Sequence, residues 1–322
     1  MSSPASTGLY REPYPDREDA LSTITPHLWF DTQAKEAAEF YCALFPDSEV
    51  TDVRTLHDTP SGDCDIVAFR LLGQEFMAIS AGPLFKINPS ISFIVNLDPS
   101  RDDAAEDVLD RLWAGLTESG TTLMPLDEYP FSKKYGWVQD GYGVSWQLML
   151  SDPAGDPRPA VVPSLMFAGD VSGKAEEAVD FYLSVFGDAE RGQLVRYPEG
   201  LAPELPGTVM FSDFRLADTW FAAMDGGRQH AFGFNEAVSL LINCADQAEI
   251  DRYWERLSAV PAAEQCGWLK DRYGVSWQVA PAVMRQMLAN GTPEQVARVT
   301  QAFLPMKKFD LAALRAAYDG EG

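Results

Sequence analysis

Gly136–Gln147 reads GWVQDGYGVSWQ, and Gly267–Gln278 reads GWLKDRYGVSWQ. Nine of the twelve positions are identical across a spacing of 131 residues. The repeated positions include two Trp, a Tyr and two Gly, residue types that chance seldom aligns. The chain is therefore a tandem duplication, and each half is a version of the other. Other matched positions fall in the same order. Phe181-Tyr182 corresponds to Phe40-Tyr41, Phe214-Arg215-Leu216 to Phe69-Arg70-Leu71, Asn235 to Asn88, Ser239 to Ser92 and Trp254 to Trp113.

Within the first copy the hydrophobic pattern itself repeats. Ile24 to Phe30 reads as a strand. Ala34, Ala37, Ala38, Tyr41 and Phe45 then recur at helical spacing up to Pro46. Three short strands follow, at 50–56, 65–71 and 75–79. The same order returns with a strand at 91–96 and a helix whose buried face is Val108, Leu109, Leu112, Trp113 and Leu116. Ser100 is the expected cap of that helix. Strands then run near 123–126, 135–139 and 144–150. Each copy thus holds two β-α-β-β-β units.

The expected domains are an arm at 1–21, a first domain at 22–151, a Pro-rich linker at 152–160 and a second domain at 161–322. After Pro281 the chain turns helical, with Thr292-Pro293-Glu294-Gln295 as a capping signal and Asp310 as a second cap. These helices have no counterpart after the first copy. Two segments differ in length between copies. One is the longer loop at 196–208. The other is the shorter approach at 260–266, where the first copy carries LMPLDEYPFSKKY. Both are expected at cavity rims, so the two halves need not bind the same molecule.

Composition narrows the partners. The chain has 322 residues, with 25 Lys and Arg against 48 Asp and Glu, for a net charge of −23. A surface this acidic repels phosphate backbones, which excludes nucleic acid as a partner. No apolar run approaches a membrane span, and no basic start precedes an apolar segment. The four cysteines are scattered and form no CxxC pair. They read as free thiols in a reducing compartment, and the expectation is a cytoplasmic protein.

Several motifs carry a resemblance: Pro26 with Leu28-Trp29-Phe30-Asp31, Phe40-Tyr41 with Leu44-Phe45-Pro46, Gly73-Gln74 before a strand, Phe234-Asn235-Glu236-Ala237, and the two GW…YGVSWQ segments. Together they resemble the vicinal-oxygen-chelate superfamily of glyoxalase I, bleomycin-resistance proteins and extradiol dioxygenases. The wording is nearest to its PhnB-like branch, which often carries the name 3-demethylubiquinone-9 3-methyltransferase domain. The resemblance implies an α+β fold: two tandem glyoxalase-like domains, each an eight-stranded half-open barrel of two βαβββ units around a cavity, plus C-terminal helices.

In the metal enzymes of that superfamily, His and Glu on the first and last strands of each unit hold the ion. The corresponding positions here fall near Thr25, Met77, Ser92 and Gln147 in the first copy. In the second they fall near Val162, Ala222, Ser239 and Gln278. A slip of one or two residues in the first strand would bring in His27. None of the eight is His, Asp or Glu, so the expectation is no metal and no cofactor. The methyltransferase name also lacks support in the residues. No glycine-rich strand-to-helix turn is present, and Asp225-Gly226-Gly227 leads into a loop.

The candidate ligand-binding residues are Trp29, Asn88, Trp137, Gln147, Asn235, Cys266, Trp268 and Gln278, and each has a plainer alternative. The tryptophans also suit a core. Strand parity sets Trp146 and Gln147 on opposite faces, and likewise Trp277 and Gln278, so a cavity-facing Gln means a core-facing Trp. Asn88 and Asn235 suit turns as well as ligands. Cys266 near Lys270 reads as a reactive thiol or as an inert buried one. Asp140 and Asp271 are expected to fix the turn before YGVSW.

The leading functional expectation is metal-independent binding of a small, partly apolar molecule, of a resistance or sequestration type. A metal-dependent lyase, isomerase or dioxygenase is the second reading, and a structural or regulatory module the third. The two halves are expected to pair within the chain, with a homodimer as a further possibility.

Overall fold

The structure, a computed structural model, describes residues 24–59, 61–200, 206–227 and 230–321. The arm expected at 1–21 lies outside the described residues.

Four units follow one another. The first runs β1 (Ile24–Phe30), α1 (Ala34–Leu44), β2 (Glu49–Thr59), β3 (Gly62–Leu71) and β4 (Gln74–Ser80). The second is β5 (Ile91–Leu97), α2 (Ala105–Thr117), β6 (Thr121–Tyr129), β7 (Ser132–Gln139) and β8 (Ser145–Leu150). The third comprises β9 (Val161–Phe167), α3 (Ala175–Val185), β10 (Ala189–Arg196), β11 (Val209–Leu216) and β12 (Thr219–Asp225). The fourth is β13 (Val238–Cys244), α4 (Gln247–Leu257), β14 (Trp268–Lys270) and β15 (Ser276–Pro281). The helices α5 (Ala282–Asn290), α6 (Pro293–Phe303) and α7 (Leu311–Asp319) close the described chain.

The two halves are glyoxalase-like and the sheets are open, but the units combine crosswise. One sheet has the order β14-β15-β13-β1-β4-β3-β2 and joins the first unit to the fourth. The other, β10-β11-β12-β9-β5-β8-β7-β6, joins the third to the second. This corrects the expectation that each copy closes its own eight-stranded half-barrel. The seams are antiparallel pairs between copies, with His27 opposite Ser239 in one sheet and Ser92 opposite Ser164 in the other. The reason the sequence hides this is the duplication itself. Hydrophobic period fixes which face of a strand is buried, and two like copies offer equivalent edges for it to pair with.

The strand count is also corrected, to seven in the first–fourth sheet. Where the second unit has the long strand β6, the fourth has a single turn at Pro261–Ala263. Only nine residues, 258–266, lie between the helix and the GW segment, and the turn at Pro261 leaves no room among them for a ladder strand.

Units of the same copy meet through their helices instead. Tyr41 on α1 stacks edge-on against Trp146 on β8 at 5.3 Å between centroids, and Tyr182 on α3 does the same to Trp277 on β15 at 5.5 Å. Both tryptophans are fully buried, and one continuous apolar core runs through all four units. The parity expectation holds: Trp146 and Trp277 face this core. Ser100 does not cap α2. Its amide and hydroxyl both donate to Asp98, and α2 begins after Ala104 with no side-chain cap. Asp246 caps α4, the expected caps Thr292 and Asp310 are in place, and Thr292 with Gln295 forms a full capping box.

The three C-terminal helices settle on the face of the seven-stranded sheet opposite α1 and α4. Val299, Phe303, Phe309 and Leu314 form a second apolar cluster with Leu56 on β2, and Ile66 and Ala280 pack against it. Polar ties anchor both ends. Arg54 on β2 donates to the carbonyl of Leu288, while the amides of Cys266 and Gly267 donate to Met306 and Lys307 at 2.8 and 2.7 Å.

Candidate functional site

Among the described residues no such helices cover the matching face of the eight-stranded sheet, which holds a cavity of about 1090 Å³. Strand alternation decides what reaches it. Val162 and Met166 on β9, Gln147 and Met149 on β8, and Ala222 and Met224 on β12 line it, while their sequence neighbours turn into the core. Trp137 and Tyr135 on β7 and Leu123 and Met124 on β6 form one wall. The linker residues Asp152 to Ala160 form part of another. The volume is of the size of drug-sized ligand sites.

The buried polar groups on this face are neutral or already matched. The Tyr135 hydroxyl donates to Gln147 Oε1 at 2.8 Å, and Gln147 Nε2 donates to Ser92 Oγ at 2.8 Å. Burial pushes the Tyr135 phenol well up, so it stays protonated. Arg158 pairs with Asp213 at 2.7 Å and lies 3.9 Å over the Trp220 ring. Asp225 accepts the amides of Gly173, Ala175 and Val209; burial raises its carboxyl and these donors draw it back down. Trp137 donates to Ser145 Oγ at 2.7 Å, which holds its ring against the cavity wall.

On the seven-stranded sheet the corresponding groups are half-buried, and His27 among them is buried. Gln278 Nε2 donates to Ser239 Oγ at 2.9 Å, as in the other sheet. Trp268 has its ring 5.6 Å from His27 and 6.0 Å from Trp29, and Trp29 Nε1 donates to Gly82 O. His27 is 4% exposed, and desolvation lowers its pKa to about 4, so the imidazole is neutral near neutral pH.

The expected site residues therefore divide. Trp137 and Gln147 share the open cavity, whereas Trp29, Trp268 and Gln278 belong to the other sheet. Asn88 and Asn235 serve the connections. Each accepts an amide two residues on, and Asn88 reaches Gly233 O while Asn235 reaches Lys86 O, so the two loops hold each other. Cys266 has φ of +49° and donates to Leu304 O at 3.3 Å, and burial raises its thiol, away from thiolate. Asp140 and Asp271 fix their turns as expected.

Strand register corrects the expected ligand positions. His27 lies opposite Met77 and Ser239, and Ser164 opposite Ala222 and Ser92. The two sets are thus His27, Met77, Ser239 and Gln278 on one sheet, and Ser164, Ala222, Ser92 and Gln147 on the other. Neither set has a carboxylate, only one has an imidazole, and each Gln donates its amide nitrogen to a Ser hydroxyl. These donors do not fit the ion that the fold's metal enzymes hold. Among the described residues no group of three or more His, Cys, Asp or Glu is placed to hold one.

The cavity residues that sequence reasoning missed are Arg158, Trp220 and five methionines, Met124, Met149, Met166, Met210 and Met224. The parity rule that placed Gln147 also places Met149 two residues on. Arg158 carried no signal, since the linker read only as a spacer.

A family model described as 3-demethylubiquinone-9 3-methyltransferase matches residues 22–149 and again 159–280. Among solved structures, a PhnB protein from Bacillus cereus is 37% identical, covering 39% of this chain and 98% of that one, with a TM-score of 0.35. A glyoxalase I variant from Zea mays is 11% identical over 82% of this chain and 95% of its own, with a TM-score of 0.51. A candidate dioxygenase from Bacillus subtilis is 11% identical over 88% of this chain and 97% of its own, with a TM-score of 0.50. The last two show the same fold, that of the vicinal-oxygen-chelate superfamily. No curated protein matches the chain.

Proposed function

The chain belongs to the 3-demethylubiquinone-9 3-methyltransferase family, in two tandem copies, and we propose that it binds a small, partly apolar molecule without a metal ion. The observation that carries this reading is the cavity of about 1090 Å³ on the eight-stranded sheet, lined by aromatic and methionine side chains around a neutral Tyr135–Gln147–Ser92 strip. Apolar walls with few oriented polar groups are the usual makeup of a small-molecule site. Sequestration, as in a resistance protein, needs only such a site.

The metal-dependent reading draws no support from the donor sets, which lack carboxylates. The methyltransferase name describes the family and not a site in this chain, since Asp225-Gly226-Gly227 runs from β12 into a loop with no helix N-terminus behind it. A structural role suits the seven-stranded sheet, whose face is packed by the chain's own helices. No helix among the described residues is long and apolar enough to cross a membrane, and all four cysteines are free, which supports a cytoplasmic setting.

Thermal unfolding tests the reading. The midpoint is expected to stay unchanged with EDTA and with added Zn²⁺, Mn²⁺, Ni²⁺ or Fe²⁺, and to rise with an apolar ligand by mass action. A loss with EDTA that one metal restores would contradict it.

A further inference from the structure

The β6–β7 wall of the cavity indicates what kind of molecule it takes. Resting on the binding reading, we propose that this hairpin selects the ligand, and that Phe131 at its tip stacks on an aromatic ring of that ligand.

Phe131 lines the cavity and is 59% exposed. Of the seven large apolar side chains exposed among the described residues, four line this one cavity. They sit on its two rims. Leu123 and Phe131 belong to the β6–β7 edge of the eight-stranded sheet, Val195 and Met210 to the β10–β11 edge. Apolar exposure gathered in one place marks a binding surface. The floor between the rims is an apolar cluster separate from the main core, made by Ile94, Val162, Trp220 and Ala222 with Met149 against them.

Neither the turn nor the core calls for a ring at this position. Tyr129 pairs with Ser132, so Pro130 and Phe131 form a two-residue hairpin turn. Such turns favour Asn, Asp and Gly. The ring is nevertheless held in place. It stacks on Tyr129 at 5.7 Å between centroids, and it meets Tyr135 edge-on at 5.0 Å. The Tyr129 hydroxyl donates to Pro125 O at 3.0 Å, the Tyr135 hydroxyl to Gln147, and Ser132 Oγ to Leu150 O at 2.8 Å. Pro130 fixes its own φ. A ring held this way loses little freedom when a ligand covers it.

The same chemistry continues inward. Tyr135 and Trp137 lie two residues apart on one face of β7, so with Phe131 they make an aromatic wall. A ligand ring laid on that wall gains ring contact beyond its buried area. The exposed carboxylates of the lining, Asp152 and Asp156, lie on the linker and not on this wall, so ring preference is separable from charge preference. The hairpin is also private to this cavity, since the fourth unit has only the turn at Pro261–Ala263 in its place.

The test is displacement of diphenylhexatriene, followed by its fluorescence, from the full chain. The competitors are diphenylmethane and dicyclohexylmethane, which share a two-ring skeleton, aromatic in one and saturated in the other. Phe131→Leu replaces an exposed side chain and leaves the core untouched. It is expected to weaken diphenylmethane about fivefold, the scale of one aromatic pair, and to leave dicyclohexylmethane unchanged. In the wild-type chain, nuclear Overhauser effects are expected between the diphenylmethane ring protons and the Phe131 ring protons, a readout that needs no variant.

Equal weakening of both compounds, weakening of neither, or no Overhauser effect at Phe131 would overturn the stacking assignment while leaving the cavity reading intact. Failure of diphenylhexatriene and of both competitors to bind the wild-type chain would defeat the binding reading itself.

Discussion

Asp140 and Asp271 each gather four donors. Asp140 Oδ1 accepts the amides of Tyr142 and Val144, and Oδ2 accepts the Tyr41 hydroxyl and Trp146 Nε1, both at 2.8 Å. Asp271 repeats the set with Tyr273, Val275, Tyr182 and Trp277. Burial raises both carboxyls and the four donors pull each back. This explains why Asp and Trp recur in both motifs, and why each copy carries a matching Tyr on its first helix. Asp140→Ala strands four buried donors and is expected to cost about 3–5 kcal/mol in urea unfolding, where a turn residue alone would cost about 1. His27 sets a pH dependence. Its folded pKa is about 4 against an unfolded 6.5, so as pH falls below 6.5 the unfolded chain takes a proton that the folded chain refuses. Stability is thus whole above pH 6.5 and declines toward pH 4, by about 2 kcal/mol between pH 7 and 4.5. His27→Asn is expected to remove that part of the decline, measured by urea midpoints at the two pH values. At this scale the sequence was informative where a residue is repeated, as with Asp140 and Gln147. It was silent on Trp220 and Arg158, which have no equivalent in the other copy.

The GW segments show how the same element is put to different uses. A Cβ on Gly136 would stand 2.5 Å from the Trp113 ring, so Gly lets α2 lie on β7. Gly267 has φ of +81°, and a Cβ there would meet the Phe309 ring at 2.5 Å, so in the second copy Gly admits the C-terminal helices instead. Those helices were legible from caps and apolar spacing, but their destination was not, because an amphipathic stripe does not say which surface it covers. Thr292 accepts the Gln295 amide, and Gln295 Oε1 accepts the Thr292 amide in return. Thr292→Ala is expected to cost about 1 kcal/mol. Most of that loss should appear as faster amide exchange in α6 and α7 rather than in the eight-stranded sheet. Equal loss of protection in both places would mean that the helices and the sheet open as one unit.

Across the whole molecule, each sheet needs a unit from each copy, so neither half is complete alone. Separate chains of residues 1–155 and 156–322 are expected to co-purify as a one-to-one complex, because each alone leaves the seam edges of two sheets unpaired. Recovery as two independent monomers would refute the crosswise arrangement. The fusion also lets the two faces diverge. One is packed by α5–α7 and the other is left open by the described residues, which a symmetric pair of identical chains could not do. The account therefore rests on a single cavity built by β5–β8 of one copy and β9–β12 of the other. The direct measurement is the stoichiometry of diphenylhexatriene binding to the chain and to Met149→Trp, which fills the floor. One site per chain, weakened more than about tenfold by the substitution at an unchanged unfolding midpoint, is the predicted result. Two sites per chain, or binding undiminished in Met149→Trp, would contradict it.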